Sequence, residues 1–237
     1  MGREKTMRKI PNILHFVWVG SKPPKWVTDI IMLWHDINPG FQIMFHRSGG
    51  AVMLDKYLPF YSHMKMTCNK VDVQKWCILQ RFGGWVMDTD TVPLRSFTDY
   101  LNTVPEDREF VAVEFSKNRE RLDMGWIGAT TNSAVWPIMD EFLVDMKGVD
   151  FKRPNQGGHG AINYAYQKAP ELFHVEKREI YCPYSRHDKP MRKLGLEFFQ
   201  ALQQGKDLSH FINRYYAYYN FAAYGWHLWA NGRDVLT

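Results

Sequence analysis

The stretch Val71–Asp90, VDVQKWCILQRFGGWVMDTD, decides how the rest of this chain is read. Its first twelve residues put Val73, Trp76, Cys77 and Leu79 on one face of a helix. Gly83-Gly84 then supplies the flexible pair that ends it. Trp85-Val86-Met87 is a short apolar strand that runs straight into Asp88-Thr89-Asp90. Alternate residues of an extended segment point the same way, so the two carboxylates can face one ion. In open α/β folds the carboxyl end of a strand is where ligands bind. Two hard oxygen ligands this close suit Mg²⁺ or Mn²⁺, whose shell is completed by water and substrate phosphates. An Asp-x-Asp tripeptide alone arises readily by chance and also fits a solvated turn. The helix, glycine turn and strand in front of it give it weight.

Working outward, the same rhythm recurs. Asn12–Val19 is an apolar run ended by Gly20 and a Lys-Pro-Pro turn, which reads as a buried strand. Trp26, Ile30, Leu33, Trp34 and Ile37 follow at helical spacing until Asn38-Pro39-Gly40 stops them. Phe41–Phe45, Phe110–Glu114 and Trp126–Ala129 read as further strands, and 133–146 and 159–168 as helices. This alternation predicts an α/β fold, a mostly parallel central sheet flanked by helices.

With 237 residues, 45% hydrophobic and 23% charged, the chain falls outside the disordered, collagen-like and coiled-coil classes and is expected to form one domain. Aromatics at 15%, nine of them Trp, exceed what such a core needs, so some rings are candidate ligand platforms. Cys68, Cys77 and Cys182 cannot all pair within one chain and match no zinc spacing, which favours a reducing compartment. The start, MGREKTMRKI, lacks the apolar core of a secretory signal, although Gly2 to Thr6 satisfies the loose myristoylation pattern. Tyr215–Gly232 is uncharged, but its tyrosines, Asn220, Asn231 and His227 make it a poor membrane span. A cytoplasmic location is therefore expected. The net charge of +5 is spread along the chain, from Lys5, Arg8 and Lys9 to Arg192 and Lys193. That reads as a solvated surface or as peripheral contact with an anionic membrane face or acidic acceptor. No nucleic-acid motif is visible.

Ile10–Gly20 (IPNILHFVWVG), 38–45 (NPGFQIMF) and above all 71–94 (VDVQKWCILQRFGGWVMDTDTVPL) resemble the glycosyltransferases with a DXD-containing sugar-binding region. That family includes yeast-type initiating mannosyltransferases, vertebrate α-1,4-galactosyltransferases and bacterial capsule and lipopolysaccharide enzymes. HFVWVG is also similar to a segment of the clostridial glucosylating toxins. Likeness is dense over residues 10–95 and patchy afterwards, at 126–137 (WIGATTNSAVWP), 155–165 (NQGGHGAINYA) and 224–232 (YGWHLWANG).

The resemblance implies a GT-A fold, a nucleotide-sugar donor (UDP-sugar ahead of GDP-sugar), a divalent metal, Mn²⁺ or Mg²⁺, and transfer with retention at the anomeric carbon. By the same resemblance Asp88 lies near ribose and metal, and Asp90 binds the metal. Trp18 stacks the nucleobase or else is a core aromatic. Asp72 accepts hydrogen bonds from donor-sugar hydroxyls. Lys75 stands where the family has Arg, keeping the charge but losing the planar fork. His227 is implied as a third metal ligand and Trp229 as a lid or diphosphate contact, while Asn231 replaces the family's usual residues beyond it. His159 opens a helix after Gly157-Gly158 and is either a substrate contact or a plain loop residue. A glycan or glycolipid acceptor is the expectation, and 237 residues a minimal catalytic unit. Two rivals stand beside this reading: a metal-dependent hydrolase, which would need a denser ligand set, and a nucleotide-sugar-binding protein that has lost catalysis.

Overall fold

Residues 10–47, 52–115, 121–145, 157–181, 189–219 and 223–228 are described by a computed structural model. The apolar run after Asn12 forms β1 (Ile13–Trp18), with Leu14 and Phe16 fully buried. Pro24 precedes α1 (Lys25–Ile37), whose Trp26, Val27, Ile30, Ile31 and Trp34 are buried at helical spacing. Asn38 ends that helix by donating its side-chain amide to the Trp34 carbonyl at 3.0 Å, and its Oδ1 accepts from the Phe97 N–H at 2.6 Å. After β2 (Gln42–Arg47) and the short α2 (Leu58–His63) comes α3 (Thr67–Phe82), which starts four residues before the predicted Val71. Gly83 closes α3, and Gly84, with φ +92° and room for no Cβ beside the Ile13 carbonyl, opens β3 (Gly84–Met87).

The chain continues through β4 (Thr91–Pro93), α4 (Phe97–Leu101), β5 (Phe110–Glu114) and β6 (Leu122–Ala129). Then follow α5 (Val135–Asp145), α6 (Gly158–Lys168), β7 (Phe173–Glu176), α7 (Lys189–Gln203), α8 (Ser209–Tyr219) and β8 (Gly225–His227). Six strands form the central sheet in the order β2-β1-β3-β6-β5-β7. β2, β1 and β3 run parallel, β6 is antiparallel to β3 and β5, and β7 is parallel to β5, so β6 alone is reversed. The mostly parallel sheet expected from the sequence is present. β4 and β8 form a separate two-stranded ribbon.

Two apolar layers cover the sheet. One packs α1, α4, α7 and α8 against Leu14, Phe16, Trp85, Met87, Val111 and Val113. The other packs α3, α5 and α6 against Val17, Val86, Phe110, Ala112, Ile127 and Ala129. Phe97 meets the rings of Trp34, Phe41, Trp85, Tyr100 and Trp126 at centroid distances of 5.0–6.1 Å, and each such pair adds about 1 kcal/mol beyond burial. Most of the aromatic excess is thus structural: Trp26, Trp34, Trp76, Trp85, Trp126, Trp136 and Trp226 are buried. Cys77 is a buried free thiol, Cys68 is half-buried, and Cys182 lies outside the described residues. Among the described residues no helix is long and apolar enough to cross a membrane.

Candidate functional site

Asp88 is fixed by the backbone before its side chain is considered. Its N–H donates to the Gly125 carbonyl on β6 at 3.0 Å, and its own carbonyl accepts from Thr91 N–H at 3.0 Å, making the turn that carries Asp90. β4 leaves that turn and pairs with β8 in a register that sets Thr91 opposite His227. Leu228 N–H closes the ribbon on the Asp90 carbonyl at 3.0 Å, and His227 N–H on Tyr181 at 2.9 Å. His227 Nε2 consequently lies 3.2 Å from Asp88 Oδ2 and 3.3 Å from Asp90 Oδ1. One ligand atom from each of the three residues lies within 4.8 Å of the others. Burial disfavours a charged His227, yet Asp90 and Asp88 raise its pKa to about 9. Burial would raise Asp88, but Lys75 and His227 outweigh it and hold the carboxyl well below its usual range. Two carboxylates and an imidazole drawn together around one point suit a divalent ion of the Mn²⁺ or Mg²⁺ kind.

Behind this cluster, α3 presents two buried charges one turn apart. Lys75 Nζ donates to Asp88 Oδ1 at 2.6 Å and to the Met124 carbonyl at 2.7 Å, and lies 3.8 Å from Asp72 Oδ1. Burial lowers a lysine pKa, but Asp88 and Asp72 together raise this one, so Lys75 is charged. Asp72 is pushed up to about 6 by burial, against the pull of Lys75 and His159. Its Oδ2 faces the start of α6, where a Cβ on Gly158 would lie 2.3 Å from it, so glycine is required for this approach. His159, the next residue, has Nδ1 4.0 Å from Asp72 Oδ2 and Nε2 3.7 Å from Asp123 Oδ1.

Residues 3–111 match the family described as "Glycosyltransferase sugar-binding region containing DXD motif". Over that span, a little under half of the chain, the sequence is similar to that family. HOC1 of Saccharomyces cerevisiae, a protein assigned as a glycosyltransferase, is 28% identical over 107 residues, 42% of this chain and 26% of that protein. The chain therefore spans about a quarter of the length of the curated relative it matches. Among solved structures, "PaToxG Glycosyltransferase" aligns with a TM-score of 0.58 at 13% identity, over 91% of this chain and 89% of that one. The fold is accordingly that of the GT-A glycosyltransferases. The catalytic domain of alpha-toxin from Clostridium novyi aligns with a TM-score of 0.49 at 9% identity, over 83% of this chain and 68% of that one.

Within the matched span Asp72, Lys75, Asp88 and Asp90 come together as a group, and His227 joins them from the far end of the described chain. Trp18 ends β1 at the same sheet edge, two residues past Phe16, which stands opposite Met87. Its ring is half-buried, donates from Nε1 to the Ser21 carbonyl at 2.8 Å and meets Trp26 edge-on. Trp229 and Asn231 lie outside the described residues. Asp123 and Tyr181 are the members of the site that sequence reasoning missed. Asp123 Oδ1 accepts from Gly125 N–H at 3.0 Å; burial would raise this carboxyl, but His159 and Tyr181 hold it down. A charged residue inside the apolar run LDMGWIGA is the available signal for Asp123; β6 begins at Leu122, four residues before the Trp126 expected from the sequence.

Proposed function

We propose that this protein is a metal-dependent, retaining glycosyltransferase that moves a sugar, a hexose above all, from a nucleotide-sugar to a glycan or glycolipid acceptor. UDP-sugars are the first donors to test, ahead of GDP-sugars. The observation that carries this reading is the convergence of Asp88, Asp90 and His227 within 4.8 Å at the edge of the span similar to the DXD-motif sugar-binding family.

Asp88, Asp90 and His227 would hold the divalent ion, Mn²⁺ in preference to Mg²⁺. Bound there, such an ion supplies the positive charge that a departing nucleoside diphosphate needs. Lys75 keeps one Asp88 oxygen in place, so that Oδ2 is the oxygen left to turn toward the ion and His227. Asp72 accepts hydrogen bonds from donor-sugar hydroxyls, Trp18 stacks the base, and Trp229 contacts the diphosphate. Holding donor and acceptor hydroxyl within attack distance does much of the remaining work. For the chemical step we favour same-face displacement, with the leaving phosphate helping to take the acceptor proton. The dispersed surface Lys and Arg would serve an acidic acceptor or an anionic membrane face.

The test is a matrix of UDP- and GDP-hexoses against small glycan and glycolipid acceptors, with Mn²⁺, read by NMR of the product anomer. A product whose anomeric configuration matches the donor's is expected. An inverted product, or a glycosyl adduct trapped on any Asp or Glu, would overturn the proposed step.

A further inference from the structure

Asp88 and His227 lie 139 residues apart in the sequence, and one buried carboxylate on β6 is tied to both. That carboxylate is Asp123. On one side its Oδ1 accepts from Gly125 N–H at 3.0 Å, and the Gly125 carbonyl accepts from Asp88 N–H at 3.0 Å. On the other side the Tyr181 hydroxyl donates to the Asp123 carboxylate, and the Tyr181 carbonyl accepts from His227 N–H at 2.9 Å. Each arm of the Asp88 cluster therefore reaches Asp123 through a single intervening residue.

The link through Tyr181 is held firmly. Its buried ring lies 5.6 Å from that of Trp126 and meets the His227 imidazole edge-on at 5.7 Å. The Ile180 carbonyl accepts from Tyr224 N–H at 2.7 Å, so two successive carbonyls hold the segment that carries His227. Gly125 is the point where the two arms come together. A Cβ there would lie 2.9 Å from Asp88 Oδ2 and 2.9 Å from the Tyr181 hydroxyl, closer than real Cβ atoms approach, so no side chain fits between them. His159 faces the same carboxylate, with Nε2 3.7 Å from Asp123 Oδ1. Tyr181 is thus the cleaner place to cut the connection.

We infer that Asp123 and Tyr181 are positioning residues, a brace that holds Asp88 and His227 at the separation one divalent ion requires. This rests on the metal-site reading above and goes beyond it, because neither residue is a ligand: each acts through a backbone hydrogen bond that fixes a ligand residue. With the brace intact, His227 Nε2 and Asp88 Oδ2 already stand 3.2 Å apart, and an ion that binds there pays little to order them. With it cut, β8 and the strand end at Asp88 move independently and affinity falls.

Mn²⁺ titration of the full chain, read from the EPR signal of the free ion at a temperature where thermal unfolding shows each variant folded, tests this without donor or turnover. Tyr181→Phe removes one hydroxyl and keeps the ring; Asp123→Ala removes the shared acceptor, and Asp123→Ser takes its place if that variant fails to fold. Each is expected to weaken Mn²⁺ binding at least about threefold, below the roughly 10- to 100-fold of a group bonded directly to a ligand side chain, because the brace acts through the backbone. The double variant is expected to bind within about twofold of the weaker single one, since either cut frees the two arms. Asp123→Asn still accepts from Gly125 N–H and can donate its amide to the Tyr181 oxygen, so it should bind at least about twofold more tightly than Asp123→Ala. Tyr100→Phe takes a hydroxyl from another buried ring packed edge-on against Trp126 and should stay within about twofold of wild type. Wild-type affinity in Tyr181→Phe, an equal loss in Tyr100→Phe, losses that multiply in the double variant, or no gain in Asp123→Asn overturns the inference and leaves the site at Asp88, Asp90 and His227 standing. A wild type that takes up no Mn²⁺ overturns both.

Discussion

Lys75 donates to Asp88 Oδ1 at 2.6 Å, so a buried ammonium from α3 anchors the strand end that carries the Asp-x-Asp. Lys75→Met would leave Asp72 buried and Asp88 half-buried with no cation between them. A loss of about 2–4 kcal/mol is expected, below the full cost of breaking a buried pair because Asp88 is partly in water. Lys75→Arg should keep most of it. Urea unfolding of the three proteins measures both.

His227 reaches the carboxylates only because β8 pairs with β4. As a ligand it should matter no less than an outer-sphere partner, whose removal costs 10- to 100-fold in metal affinity. His227→Ala is therefore expected to weaken Mn²⁺ binding at least about tenfold, read from the EPR signal of the free ion. Affinity equal to wild type would remove His227 from the ligand set.

Much of this site was legible because it is local. Asp72, Lys75, Asp88 and Asp90 fall within nineteen residues, on a helix and a strand with clear periods. His227 was reached through the family resemblance, since no spacing rule links it to Asp88, 139 residues away. β4 and β8 are three residues each, too short to show a period, and exist because they pair with each other. α7 is different: Met191, Leu194, Phe198 and Leu202 are buried at helical spacing, so its signal was present and went unread. Asp123 and His159 acquire meaning only when β6 and α6 meet Asp72 in space.

A pH effect on stability is expected from His15, beneath the Gly83-Gly84 turn. His15 Nε2–H donates to the Gly83 carbonyl at 2.8 Å, so Nδ1 accepts from His46 at 3.0 Å. Burial, with a smaller push from His46, lowers the His15 pKa to about 4, against 6.5 when exposed. Between those values the unfolded chain binds more protons, so stability is full above about pH 6.5 and is lost as pH falls toward 4. The loss approaches about 3 kcal/mol at about 1.4 kcal/mol per pKa unit. Urea unfolding at pH 7 and 4.5 should show this difference in the wild type and a smaller one in His15→Leu.

Gly158→Ala would set a methyl group 2.3 Å from Asp72 Oδ2 and 2.5 Å from its Cβ. The first turn of α6 must then move, at a cost of about 1–3 kcal/mol. Because the crowding falls on Asp72, nucleotide-sugar affinity should fall with thermal stability. Calorimetry and thermal unfolding on one preparation test the link.

The most direct test of the whole account is nucleotide release from UDP- and GDP-hexoses with Mn²⁺, in the wild type and in Asp88→Asn/Asp90→Asn. Release from one donor, abolished by chelation and at least about a hundredfold slower in the double variant, is the expected result. Release that is indifferent to the metal or to both aspartates would contradict a catalytic metal site at Asp88, Asp90 and His227.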